Sequence, residues 1–92
     1  MDQELIKSLL QEIDSLLKRG ELPVDNNHLG HLSPGRDMLA ILMTLRGEGL
    51  ISGDLITTGS DRVRPHRMTN IRLTYIGIKM LRSLVEQSAV AR

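Results

Sequence analysis

Apolar residues near the start of the chain recur at steps of three and four: Leu5, Ile6, Leu9, Leu10, Ile13, Leu16 and Leu17. That spacing draws one apolar stripe along a helix. Asp2 is placed to cap its free amides, and Lys18, Arg19 and Gly20 to end it, the bases by opposing the helix dipole and the glycine by turning left-handed. Pro23 lacks an amide hydrogen and pushes Leu22 toward extended geometry, so 21–24 reads as a connector or short strand. Asp25 then caps a short helix through Asn26, Asn27, His28 and Leu29, with Gly30 as its stop.

Ser33-Pro34 has the form of a helix start, serine at the cap and proline in the first turn. Met38, Leu39, Ile41, Leu42 and Leu45 supply its buried face, Arg36, Asp37, Ala40, Thr44 and Gly47 its outer face, and Gly47 or Gly49 its end. Leu50-Ile51 and Leu55-Ile56 are strand material, bent, bulged or broken at Ser52-Gly53-Asp54. From 57 to 68 the chain is polar, holds Gly59 and Pro65 and has no helical period, as a long hairpin loop would. Asn70, Ile71, Arg72 and Leu73 alternate like a half-buried strand. Thr74 is placed to cap a closing helix with Ile76, Met80, Leu81, Leu84 and Val85 as apolar positions.

Helix, strand, charged loop, strand, helix is the layout of a winged helix, an α+β fold with a three-helix core, a small antiparallel hairpin wing and a C-terminal helix. Ninety-two residues are enough for one such domain, 1–92, with the wing at about 57–69. Tyr75 is the sole aromatic residue, so the core is aliphatic, and RNA-binding modules that stack bases on aromatic platforms are disfavoured. Without cysteine there is neither a disulfide nor a thiolate metal site, which suits a reducing cytoplasm. The first segment does not read as a signal peptide, and no stretch is apolar enough to span a bilayer.

The net charge is only +1, but its distribution is uneven. Up to residue 46 acids outnumber bases; from 62 to 82 stand Arg62, Arg64, Arg67, Arg72, Lys79 and Arg82, with no acid. A local field of one sign attracts an anionic ligand even when the whole protein is nearly neutral.

Leu29-Gly30-x-Leu32-Ser33, Leu42-x-x-Leu45, Glu48-Gly49-Leu50-Ile51-x-Gly53 and Leu73-Thr74-x-x-Gly77-x-x-x-Leu81 occur in that order across nearly the whole chain. In these pieces the sequence resembles the small YjcQ-like winged-helix proteins of bacteria and their phages. The resemblance implies that 34–46 occupies the recognition-helix position and that 62–68 forms the wing.

Four constellations are candidates for function. In an extended wing Arg62, Arg64 and His66 fall on one side and Arg67 on the other; with Arg72 they are placed to meet phosphates or a minor groove. Pro34, Gly35 and Arg36 lie where a helix N-terminus favours phosphate, and Thr44 is in reach of a base edge. His28, His31 and His66 lack accompanying carboxylate or thiolate ligands, so capping or surface roles are expected, with no metal and no cofactor. Tyr75, Ile76 and Ile78 cannot share one buried helical face with Met80 and Leu81, which leaves either a homodimer contact or packing of Tyr75 and Ile78 under the wing or beside the first helix.

No nucleophile elbow, phosphate loop, paired-carboxylate cleft or metalloprotease motif is present, so an enzyme is not expected. The favoured reading is a small cytoplasmic transcription regulator that contacts double-stranded DNA through a basic wing. The alternative is a protein-interaction module, or a phage or mobile-element accessory factor, using the same scaffold without DNA.

Overall fold

Each helix end is written in local hydrogen bonds. In the computed structural model, which describes residues 2–57 and 67–90, α1 spans Gln3–Lys18, and the Asp2 carboxylate accepts the Glu4 amide at 3.1 Å. Leu9, Leu10, Ile13 and Leu16 form its buried stripe. At its other end Gly20 has φ +76°, its amide donates to the Leu17 carbonyl, and the Glu21 amide donates to that of Leu16. This paired closure is a Schellman motif, and it needs a residue free of the left-handed penalty.

The connector after α1 brings Val24 into the core, and its carbonyl accepts the Ile71 amide at 3.0 Å. One strand-like bond therefore stands where a short strand was a candidate. Two 3-10 turns follow, Asn26–His28 and Gly30–Leu32. Asp25 caps the first turn as expected, accepting the Asn27 amide at 2.9 Å. Gly30, expected to stop that helix, instead opens the second turn.

The next helix, α2, is Met38–Gly47, capped by Asp37, whose carboxylate accepts the Ala40 amide at 3.3 Å. The expected start at Ser33-Pro34 is incorrect. Those residues form a tight turn in which the Arg36 amide donates to the Ser33 carbonyl and Gly35 has φ +80°. Proline second and a positive-φ glycine third are the marks of a type II turn, and the burial of Met38 behind the Asp37 cap favours that turn over the helix. Gly49, at φ +78°, closes α2 with a second Schellman motif, in which the Leu50 amide donates to the Leu45 carbonyl at 3.0 Å, and both leucines lie in the core.

Strands β1 (Ile51–Ile56) and β2 (Arg67–Leu73) make an antiparallel hairpin. The second strand starts earlier than expected, which takes 67–69 out of the loop. Met68 and Ile71 are both fully buried although three residues apart, a spacing that sends side chains to opposite faces of a regular strand. A bulge resolves the conflict. Ser52 pairs with Arg72 and Asp54 with Thr69, so Gly53 alone faces Asn70 and Ile71, and Asn70 absorbs the extra residue at φ +55°. The irregularity expected at Ser52-Gly53-Asp54 is real, but the inserted residue sits on the opposite strand. Gly53 faces it because a Cβ there would meet Met68 Cγ and Sδ at 2.9 Å.

Helix α3, Tyr75–Val90, is started by Thr74, whose hydroxyl oxygen accepts the Gly77 amide at 3.0 Å and whose hydroxyl hydrogen goes to the Gly49 carbonyl. The Thr74 amide also donates to the Leu50 carbonyl at 3.2 Å. These bonds hold the first turn of α3 hard against the end of α2. Leu9, Leu10, Ile13, Leu42, Leu45, Ile51, Met68 and Ile71 share one core between α1, α2 and the hairpin. The architecture is α+β, in a layout consistent with a winged helix.

Candidate nucleic-acid interface

The bulge sets which side chains the hairpin turns outward. With Met68 and Ile71 inward, Arg67, Thr69 and Arg72 fall on the outer row of β2, and Arg67 and Arg72 are exposed. Directly opposite on β1 stand Ile56 beside Arg67, Asp54 beside Thr69 and Ser52 beside Arg72. Arg67 and Arg72 thus share a face, their backbone positions roughly 15 Å apart along the strand by its rise per residue, with Asp54 between their rows. Arg62, Arg64 and His66 lie outside the described residues.

The recognition-helix candidates are less concentrated. Because α2 begins at Met38, Arg36 precedes the helix and lies outside its outer face. It is exposed and lines an open groove of about 420 Å³ with Asp2, Glu4 and Ser8. The end of α2 expected to attract phosphate carries Asp37, which already occupies a free amide through its own carboxylate. Thr44 is exposed as expected, but its hydroxyl donates to the Ala40 carbonyl at 3.1 Å, so toward a base it offers lone pairs and a methyl group. The other exposed residues of the helix are Ala40, Met43, Arg46 and Gly47, with Met43 an apolar contribution absent from the expected outer face.

Arg46, in the last turn of α2, reaches across to β1 and donates from Nε to the Gly53 carbonyl at 2.9 Å. This guanidinium ties helix to hairpin, and only the tertiary fold reveals it, since the two residues belong to different elements. His28 Nδ1 accepts the Asp25 amide at 3.0 Å, which makes it a capping group, and His31 Nε2 lies 3.4 Å from Glu12 Oε2 on α1. Those two histidines are therefore engaged with different partners.

Tyr75, Ile76 and Ile78 are all exposed, at 75, 57 and 45 %. They do not form one patch. Ile78 borders a groove between α1 and α3, whereas Tyr75 and Ile76 line a separate shallow depression with Lys79, Met80 and Ser83. The Lys79 ammonium sits 5.4 Å from the centre of the Tyr75 ring. Ile76 approaches Gly49 at the end of α2.

Comparison with protein-family models, with curated proteins and with solved structures finds no match. No helix among the described residues is long and apolar enough to cross a membrane.

Proposed function

We propose that this chain is a winged-helix protein of the YjcQ-like kind that binds double-stranded DNA through its basic hairpin, as a small transcription regulator. The observation that carries this reading is the pair Arg67 and Arg72, both exposed on the outer row of a hairpin that directly follows α2. They belong to the run from 62 to 82 that holds six bases and no acid. Cationic side chains at this density release condensed counterions from a duplex, and that release supplies most sequence-independent affinity. The bond from Ile71 to Val24 adds a third segment at the edge of β2 and stiffens the base of the wing. In this arrangement the hairpin supplies affinity, while α2, with Asp37 at its start, adds little sequence discrimination.

Fluorescence anisotropy with a labelled random-sequence duplex tests the reading. Binding should weaken steeply between about 50 and 200 mM salt, and Arg67→Ala with Arg72→Ala should lower the slope of log K against log salt by about 2. A wild-type chain that leaves the duplex unbound at low salt and high micromolar protein refutes it.

One observation favours the second reading, a protein-interaction module. The exposed face of α2 holds Ala40, Met43, Thr44 and Gly47, and its one exposed base, Arg46, is tied to the Gly53 carbonyl, which suits a protein surface better than a base-reading one. Under that reading the double arginine variant keeps its biological activity and Met43→Glu loses it.

A further inference from the structure

Seven large apolar side chains are exposed among the described residues, and five of them, Tyr75, Ile76, Ile78, Met80 and Val85, stand on α3. The helix outruns the body that supports it: past Leu84, the described side chains Val85, Glu86 and Gln87 are all exposed. Chance scatter would not place so much uncovered apolar surface on one helix.

This surface has two flanks of different character. On one, Tyr75, Ile76 and Met80 accompany Lys79 without an acid. The other is a groove of about 410 Å³ between α1 and α3, with an apolar floor of Leu73, Ile78, Leu81 and Val85 and a rim of Asp14, Lys18, Arg82 and Glu86. Two acids and two bases make that rim neutral. Neither a nucleic acid nor an anionic bilayer gains from a neutral rim, because both select surfaces of net positive charge. A rim carrying both signs complements itself when the same patch is turned through a two-fold axis, the isologous geometry of a homodimer. Lys18 and Asp14 pair at 3.0 Å across one turn of α1, so both signs stand on the α1 side of the rim.

We propose that a second copy of this chain docks in the α1–α3 groove, α3 against α3, with Ile78, Leu81 and Val85 meeting their counterparts and Arg82 and Lys18 of one copy facing Glu86 and Asp14 of the other. The interface uses one flank of α3 only. It leaves the Tyr75 and Ile76 flank outside, and it stands whether or not the hairpin binds DNA.

Sedimentation velocity on the full chain, from low to high micromolar, tests this. The wild type should approach twice the 10.3 kDa chain mass. Ile78→Glu and Val85→Glu, at positions 45 and 42 % exposed, should sediment as monomers with unchanged helical circular dichroism. Ile76→Glu, on the opposite flank, should remain dimeric. Arg82→Glu should raise the dissociation constant roughly tenfold or more through like-charge apposition, and the exchange R82E/E86R should restore it. A wild type that stays at monomer mass at every concentration overturns the proposal. So does an Ile76→Glu variant that dissociates as Ile78→Glu does, or an exchange variant that fails to recover.

Discussion

Replacing Gly77 by alanine adds a single methyl group, yet the fold predicts a large loss of stability. A Cβ built at Gly77 would lie 1.9 Å from the Leu50 carbonyl oxygen and 3.0 Å from its carbon. Both are backbone atoms, held by the turn that ends α2, so no side chain can swing aside. Restoring an ordinary contact distance requires α3 to retreat by about 1.5 Å, which is overpacking of a kind that costs about 1–3 kcal/mol. The retreat also strains the bonds from the Thr74 amide to Leu50 and from the Thr74 hydroxyl to Gly49, each worth about 1 kcal/mol. Alanine returns up to about 1 kcal/mol of helix propensity. The net loss is therefore about 2–4 kcal/mol, and for a domain of this size a fall in Tm on the order of 10–25 °C.

Gly47→Ala is the matched control. It is the last residue of α2, and an added Cβ there meets nothing within 4 Å. The same methyl group should stabilise that site by about 0.5–1 kcal/mol. Urea and thermal unfolding, followed by helical circular dichroism, should move the two variants in opposite directions. If Gly77→Ala melts within about 2 °C of the wild type, a shift worth less than 1 kcal/mol, then α3 does not rest on the Leu50 carbonyl and the account of this junction fails.

Asn70 holds a left-handed conformation at the bulge, so Asn70→Gly should unfold within about 0.5 kcal/mol of the wild type, while Asn70→Val should lose about 1–2 kcal/mol in urea titration. At the start of α2, Asp37→Asn keeps a good cap and should leave stability unchanged, whereas Asp37→Ala should cost about 1 kcal/mol. On the DNA-binding reading, Asp37→Asn also removes a negative charge beside the duplex and should tighten low-salt anisotropy binding about two- to fivefold; no gain there would place the start of α2 away from the DNA.

The site was less legible in the sequence than the fold. Arg67 and Arg72 stood out as cations in an acid-free run, but that both turn outward on one face depends on the bulge at Asn70. Without it, the odd spacing of Met68 and Ile71 could not serve one core. Arg46 read as an ordinary last-turn base, and its bond to Gly53 exists only because β1 folds back beside α2. For the group Tyr75, Ile76 and Ile78 the sequence left exposure and packing open, and all three are exposed. Its division between two flanks follows from which side of α3 meets α1, a fact of packing.

Signals confined to a few neighbouring residues could be read directly: the stripe and Asp2 cap of α1, its Gly20 closure, the Asp25 cap and the Thr74 start of α3. Each is decided mainly by competition among backbone donors, acceptors and φ preferences within about one turn. Ser33-Pro34-Gly35 carried two such signals at once, a helix start and a type II turn, and the burial of Met38 with the Asp37 cap chose between them. The same holds for the place of the bulge, the bond of Arg46 and the uncovered flanks of α3. These depend on which surfaces meet across the core, and close packing between segments far apart in the chain decides that.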